Sequence, residues 1–387
     1  MKRLDIAIVG AGISGLTCAL ALAQSGQRVR IYEATPAWGD VGAGITLAPN
    51  AMRGLDYVGV GEEIVRAGIE PSTQIISHWK DSSLILELER RGTRERYGAA
   101  YVYIHRAELH KILTDAVKRA GVEMFLSKSL LDVDVEGGVP SLHFDDGTVA
   151  EAGLVVGADG IKSQVRKKFA TQQPQFTGHV AYRAIAQVNS SIRELVDQPG
   201  MHIGPGKMVV RYPLCKGTLL NLVFFNRNNG WTEDGWSIRA NLDELRNVFD
   251  GWCDDVHRLL LAIQDRTVFK WAINAHQPLA TWSKNNQVTM IGDAAHAMTP
   301  FLGQGAATAI EDAVVLARSL EQACSIEHAL QSYESERIER TSYILLESNA
   351  NADRLQGEES ELYGMNKLVN EETLGLFHYD CTAFSVA

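Results

Sequence analysis

Six residues near the start of the chain, Gly10-Ala11-Gly12-Ile13-Ser14-Gly15, follow a short apolar run (DIAIV, 5–9) and open a helical one. At Gly10 glycine permits a tight turn, at Gly12 it lets a pyrophosphate approach the backbone, and at Gly15 it lets helix and strand pack closely. A phosphate placed there faces the positive end of a helix. Glu33 ends the next alternating run, RVRIYE at 28–33. A carboxylate at that point accepts hydrogen bonds from ribose hydroxyls. Strand, glycine turn, helix and terminal acid in this order read as an adenine-dinucleotide site, and the fingerprint alone serves FAD and NAD alike. Two further stretches join glycine and acid: Gly157-Ala158-Asp159-Gly160, with Ser163 and Arg166 beyond it, and Gly292-Asp293-Ala294-Ala295-His296, running on to Pro300, Gly303, Gln304 and Gly305.

These residues need a scaffold. The helix after the first turn stops at Gly26, a natural C′ residue, and completes a β-α-β opening of about thirty residues. RAELHKILTDAVKRAG (106–121) puts Leu109, Ile112, Leu113, Ala116 and Val117 on one helical face. SLHFDDGTVAEAGLVVGADG (141–160) reads as a hairpin turning at Asp146-Gly147 and then a buried strand. Between 176 and 275 the runs VAYRAIAQV, KMVVRYPL and TLLNLVFFN, broken by Gly, Pro and Asn, predict a mostly antiparallel sheet. A buried strand returns at QVTMI, with helix from about 305 and again over 327–350.

The expected fold class is therefore α/β: a Rossmann-like nucleotide-binding domain carrying an inserted, mostly antiparallel β-sheet domain, with helices at the C-terminus. The expected boundaries are 1–70, 101–175 and 276–330 for the nucleotide domain, 71–100 and 176–275 for the sheet domain, and 331–387 for a helical segment. With 387 residues, 45% of them hydrophobic and 22% charged, the chain has an ordinary globular composition. Lys and Arg number 37 against 47 Asp and Glu, a net charge of −10. No basic run suggests nucleic acid, and the acidic balance opposes an anionic membrane. The five cysteines are isolated and the eleven histidines lack metal-ligand spacing, so no disulfide framework and no metal are expected. MKRLDIAIVGAG leads straight into a strand without a signal-peptide apolar stretch, which predicts a cytoplasmic protein.

GAGISG near the start, GADG in the middle and GDAAHAMTPFLGQGAATAIEDA near residue 300 together resemble the single-component FAD-dependent aromatic hydroxylases of the p-hydroxybenzoate hydroxylase superfamily. The resemblance covers nearly the whole chain. It is closest in look to the salicylate hydroxylase, 3-hydroxybenzoate 6-hydroxylase and 6-hydroxynicotinate 3-monooxygenase subgroup, through GAGITLAPNAM (42–52), YGAAYVYIHRAELH (97–110), VAYRAIAQV (180–188) and MVVRYPL with Asn221 downstream. It implies FAD as cofactor and NADH or NADPH as co-substrate. The implied reaction is hydroxylation of a small aromatic or heteroaromatic acid by O₂ through a flavin C4a-hydroperoxide, with or without loss of CO₂. An epoxidase or reductase on a non-phenolic substrate is the alternative on the same fold. The halogenase pattern WxWxIP and the Baeyer–Villiger pattern FxGxxxHxxxW are absent.

Residue by residue, the resemblance implies cofactor contacts from Gly10, Gly12, Ser14, Gly15, Glu33, Arg106, Asp159, Asp293, Gly303, Gly305 and Ala306. Asp293 would hold the ribityl hydroxyls, and the helix opening at about 303–307 would aim N–H groups and a positive dipole end at the flavin's pyrimidine edge. Arg106 matches the family arginine that reaches the ribityl and phosphate region. On the substrate side the candidates are Thr46, Arg183, Lys207, Tyr212 and Pro300, with Lys207, Tyr212 and Gln304 as catalytic candidates. Thr46 stands where hydroxynicotinate enzymes carry a histidine, and Lys207 where many relatives have one beside the ring. Arg211 and Tyr212 alternate on a strand, so only one faces inward, and Tyr212 with Lys207 is the expected pocket pair. A monomer or homodimer is expected.

Overall fold

The computed structural model describes residues 4–386 except 40–42, 137, 232–237, 264–267 and 366–367. Gly42, which begins GAGITLAPNAM, lies outside the described residues. Strand β1 (Asp5–Val9) is the centre of a parallel sheet, flanked by β2 (Arg28–Tyr32) and β11 (Leu154–Gly157). With β7 (Glu123–Phe125) outside β2 and β18 (Val288–Met290) outside β11, the order is β18-β11-β1-β2-β7. The chain leaves β1 toward β2 on one side and reaches β11 on the other, so a switch point lies at the carboxyl ends of β1 and β11. Ligands of open α/β sheets bind in the crevice at that point.

Helix α1 (Ile13–Gln24) and helix α3 (Arg106–Arg119) pack together, and α1 and α2 (Pro49–Tyr57) both pack on α6 (Gly305–Gln322). The face of α3 read from the sequence is the buried one: Leu109, Ile112, Leu113, Ala116 and Val117 join the core around β1. Each fully buried aliphatic side chain of this kind contributes about 2 kcal/mol. Gly26, Gly121 and Gly147 take φ values of +80°, +71° and +79°, as helix ends and a hairpin turn require. That hairpin belongs to a small antiparallel sheet of β8 (Leu130–Asp134), β9 (Ser141–Phe144) and β10 (Val149–Glu151).

The second layer is an eight-stranded sheet ordered β16-β17-β12-β15-β14-β13-β4-β5. Its strands are β4 (Thr73–His78), β5 (Leu84–Glu89), β12 (Gln175–Gln187), β13 (Gly200–Gly204), β14 (Lys207–Leu214), β15 (Leu219–Arg227), β16 (Ile238–Arg239) and β17 (Phe269–Ala275). All its pairings are antiparallel except β13 with β4. One face carries Val180, Tyr182, Val209, Leu222 and Phe224 and is covered by α4 (Leu242–Val248) and α5 (Asp254–Leu261). The other face carries Ala181, Met208, Phe225 and Ile273 and packs against Phe301. A two-stranded ladder, β3 (Gly44–Leu47) with β6 (Val102–His105), joins the layers.

The expected boundary at 330/331 is corrected. Helix α7 (Ile326–Gln356) runs unbroken through it. Ala329, Leu330 and Tyr333 are buried in the nucleotide-domain core, whereas Ala352 and Leu355 are buried against the large sheet, so one helix ties both layers.

Candidate active site

The first glycine turn divides its three glycines by function. Gly10 has φ +101° and a Cβ there would lie 2.4 Å from the Ala158 carbonyl oxygen; at Gly15 a Cβ would lie 2.0 Å from the Gly10 oxygen. A Cβ at Gly12 would meet nothing within 4 Å. The space above Gly12, at the N-terminus of α1, is open among the described residues. Glu33 is drawn onto the turn, its Oε2 accepting from the Ala11 N–H at 2.7 Å and its Oε1 from Thr35 N–H at 2.9 Å. Gly12→Ala is accordingly expected to leave apoprotein stability unchanged while weakening dinucleotide affinity by about tenfold or more, through obstruction of close backbone approach. Gly15→Ala should instead lower apoprotein stability; thermal melts with and without added cofactor separate the two.

The third motif lies directly beside the first: a Cβ on Gly292 would come within 3.1 Å of the Ser14 Cβ. Gly292 has φ +59°, and its N–H donates to Asp312 Oδ2 at 2.9 Å. Asp293 sits deep within the protein yet keeps an exposed surface, the combination of a cleft-lining carboxylate. Burial raises its pKa, against the opposing pull of His296 and Arg106. Past Gly303 (φ +63°), α6 begins with Gln304 at its N-cap and no side-chain cap. The N–H groups of Gly305, Ala306 and Ala307 find no backbone acceptor among the described residues, and a Cβ on Gly303 or Gly305 would meet nothing within 4 Å. An eighteen-residue helix thus points an uncapped, positive end into open space. Pro300 is exposed on the same loop, its carbonyl accepting from the Gly303 N–H at 2.9 Å.

Asp159, expected as a cofactor contact, is bonded to its own turn. Its Oδ1 accepts from Ser163 Oγ at 2.5 Å, and its Oδ2 from the N–H groups of Gln164 (2.7 Å) and Val165 (3.3 Å). The carboxylate is spent on its own turn, a local bonding pattern natural for aspartate after a strand. Arg166, which follows, is buried and joins the second and third motifs, Nη1 donating to the carbonyls of Ala294 (3.1 Å) and Ala295 (2.6 Å) and Nη2 to that of Gln277 (3.1 Å). Burial alone lowers its pKa to about 10.

On the large sheet, strand parity decides the pocket. Tyr212 faces the ladder, stacked on Tyr103 at 4.6 Å between centroids, with the Thr46 side chain close to its phenol. A Cβ on Gly44 would fall 2.3 Å from its ring, and Gly44 N–H is held by Asn221 Oδ1 at 2.7 Å. Burial, reinforced by Tyr103, pushes the Tyr212 phenol upward, so it donates rather than acts as a base. Arg211 points the other way, its Nη1 3.2 Å from His202 Nδ1. Lys207 shares Arg211's face, with its Nζ 5.9 Å from the Phe249 ring centroid and Asp250 near it. The expected Lys207–Tyr212 pair is therefore wrong: five residues apart on one strand, they project to opposite sides. Met208 and Val210 accompany Tyr212 instead.

Arg183 lies two residues from Ala181 on the pocket face, its guanidinium 5.4 Å from the Trp271 ring centroid. Burial lowers its pKa, nearby Arg106 lowers it further, and Tyr212 opposes. Neither Arg183 nor the exposed Arg106 has a carboxylate within salt-bridge distance among the described residues. Two uncommitted cations, one cleft carboxylate and an uncapped helix end thus converge beside an apolar floor.

Comparison with known proteins places this arrangement. The model of a family described as FAD binding domain matches residues 3–347. The chain belongs to that family. The 6-hydroxynicotinate 3-monooxygenase of Bordetella bronchiseptica is 34% identical over 89% of this chain and 91% of its own length. The 3-hydroxybenzoate 6-hydroxylase of Polaromonas naphthalenivorans is 31% identical over 95% of this chain and 91% of its own. A salicylate hydroxylase solved as a substrate complex superposes with a TM-score of 0.83 at 26% identity, covering 98% of this chain and 97% of that one. This member of the FAD-binding family is an FAD-dependent monooxygenase using NAD(P)H. The open space over Gly12, the cleft-facing Asp293 and the bare N–H groups of α6 fit FAD's pyrophosphate, ribityl chain and flavin edge. Bound there, FAD supplies two-electron storage and oxygen activation. No helix of the described residues is long and apolar enough to cross a membrane.

A buried network under the third motif has no counterpart in the sequence reading. Asp312, fully buried, accepts from Gly292 N–H, His296 Nε2 (2.5 Å) and Arg337 Nε (2.8 Å). Glu311 pairs with Arg337 at 2.7 Å and Arg340 at 2.9 Å. The only signal was the IEDA at the end of the quoted motif, two adjacent acids set between the mostly apolar runs GAATAI and AVVLA.

Proposed function

We propose that this monooxygenase hydroxylates a small aromatic or heteroaromatic acid of the hydroxybenzoate or hydroxypyridine type, with or without loss of CO₂. The observation that carries the reading is Arg183: a half-buried guanidinium without a carboxylate partner among the described residues, above an indole, on an apolar floor. A planar ring bearing a carboxylate meets both needs at once, the apolar face by stacking and the cation by a bidentate pair. Tyr212 and Thr46 then present hydroxyls at the far edge of the ring, and Gln304 presents an amide beside the flavin-facing end of α6. The apolar residues Val210, Val223, Phe225 and Phe301 exclude water from the reacting ring. Neither Thr46 nor the Met208 that shares Tyr212's face is basic, so an imidazole base at these positions forms no part of the proposal. The same reading takes the protein as cytoplasmic and as a monomer or homodimer.

The test is a panel of phenolic and hydroxypyridine acids. One or a few acids should accelerate oxidation of NADH or NADPH by the yellow holoprotein at least tenfold, and the product should gain one oxygen by mass. A panel with no stimulation and no oxygenated product would remove the substrate class.

A further inference from the structure

Four of the chain's eleven tyrosines share one small apolar cluster beside the β3–β6 ladder: Tyr97, Tyr101, Tyr103 and Tyr212, packed with Ala48, Leu214 and Phe377. From the pocket outward the rings follow one another. Tyr212 stacks on Tyr103 at 4.6 Å between centroids, and Tyr103 meets Tyr101 edge-on at 5.8 Å. The ring of Phe377 bridges the last step, 5.9 Å from Tyr101 and 5.3 Å from Tyr97. Each is an ordinary aromatic packing distance. Phenylalanine would fill nearly the same volume at each place, so packing does not account for four successive hydroxyls.

The two ends of the row differ. At the inner end Tyr212 lies against Gly44, with Thr46 beside its phenol and Arg183 near. Burial raises the phenol pKa of Tyr101, Tyr103 and Tyr212 alike, so all three stay neutral. At the outer end Tyr97, alone of the four among the described residues, donates to a carboxylate: its hydroxyl reaches Glu372 Oε1 at 2.6 Å. Glu372 is partly exposed, and the exposed His378 lies 5.0 Å from the Tyr97 ring. Arg90, 4.7 Å from the Tyr101 ring centroid, and Arg96 are matched in charge by Glu371 and Glu372. A phenol that gives up an electron becomes a strong acid, so it is oxidised most easily where a base already holds its proton. Tyr97 is that place.

We propose that Tyr212, Tyr103, Tyr101 and Tyr97 form a path that carries an oxidising equivalent out of the pocket to the edge of the fold. The oxidant is a one-electron acceptor at the flavin, such as an oxygen radical from failed turnover. It takes one electron from Tyr212, and electrons moving along Tyr103 and Tyr101 refill that ring. Tyr97 thus loses one electron overall, and its hydroxyl proton passes to Glu372 Oε1. A soluble thiol at the surface returns the electron, releasing its own proton, and Glu372 returns the phenol's. The interior rings have no such base, so the vacancy settles at Tyr97 rather than beside the reacting centre. The path spares the pocket and does not depend on which acid the pocket accepts.

The test excites the FAD of the holoprotein with blue light, without substrate or pyridine nucleotide. Ferricyanide takes the electron from the flavin, so that the vacancy left on the protein cannot recombine with it. Samples frozen under illumination are read by electron paramagnetic resonance. Wild type should show a tyrosyl signal whose hyperfine pattern changes when the protein carries ring-deuterated tyrosine. Tyr212→Phe should lose most of that signal, because the first donor is gone. Tyr97→Phe should keep a signal with a different hyperfine pattern and a shorter lifetime, and Glu372→Gln should lower the yield. Peptide mass mapping after prolonged illumination in air gives a second readout: oxidation should rise at Met208 and Trp271, on the pocket face of the large sheet, when Tyr103→Phe interrupts the row. Yellow colour and circular dichroism check that each variant is folded and loaded; if Tyr212→Phe is not, Tyr103→Phe takes its place. An undiminished tyrosyl signal in Tyr212→Phe, a tryptophan radical in place of a tyrosyl one in wild type, or no protein radical at all would overturn the path. None of these outcomes touches the substrate class, which the acid panel tests separately.

Discussion

Arg337→Met is expected to destabilise the protein by about 3–5 kcal/mol, the range found when one partner of a buried ion pair is removed. Arg337 is fully buried and bonds to Glu311 at 2.7 Å and to Asp312 at 2.8 Å. Methionine fills much of the space but leaves Asp312 with only His296 and the Gly292 N–H. The cost is set by the carboxylates left behind rather than by the net worth of the pair. In the wild type, burial raises both carboxyl pKa values, but the arginines and His296 pull them below the ordinary range. Groups with depressed folded pKa values stabilise above the unfolded value, about pH 4, and lose that contribution as pH falls. In the variant burial is less opposed and the folded pKa values rise. The gap between wild type and variant should therefore be widest near neutral pH and narrow toward about pH 4. Because Asp312 also anchors Gly292, FAD affinity should fall together with stability. Urea unfolding of apo- and holoprotein across pH measures both. A pH-independent loss below about 1 kcal/mol would mean that the network is not under electrostatic tension.

The division between what the sequence showed and what it hid follows contact range. The roles of Gly10, Gly12 and Gly15 are local, set by one strand, one turn and one helix, and their spacing encodes them. The same holds for the buried face of α3 and the Asp146-Gly147 hairpin. For Asp159 the sequence left two uses open, because an acid after a strand is equally suited to its own turn, and the bonds to Ser163, Gln164 and Val165 show that it serves the turn. Lys207 was a different failure. The alternation that separates Arg211 from Tyr212 also separates Lys207 from Tyr212, so its orientation was available from strand parity. The Asp312–Arg337 pair spans 25 residues and two helices, and the Asn50–Glu311 bond spans 261. No periodicity links such positions; packing of α6 on α7 and on the residues after β3 creates them.

Arg183→Met is expected to separate affinity from stability in opposite directions. If Arg183 receives the substrate carboxylate, its loss should raise the KM for the preferred acid by about 30- to 1,000-fold, equivalent to about 2–4 kcal/mol for one side of a desolvated charge pair. The effect on kcat should be smaller, since the carboxylate is held alike in ground state and transition state. Folding should not suffer. A half-buried guanidinium near Arg106, with no carboxylate partner among the described residues, is a charge the fold keeps at a cost. Methionine retains contact with Trp271 and removes that cost, so stability should hold or rise by about 1 kcal/mol. Lysine should recover only part of the affinity, because a point charge lacks the planar fork that matches a carboxylate. The matching substrate experiment replaces the acid by its primary amide: wild type should discriminate strongly and Arg183→Met weakly. Equal discrimination by both proteins would place the carboxylate elsewhere, with Arg106 the next cation in reach. A variant that loses stability along with affinity would mark Arg183 as part of the scaffold, since a residue kept for ligand costs the empty fold something and a structural one does not.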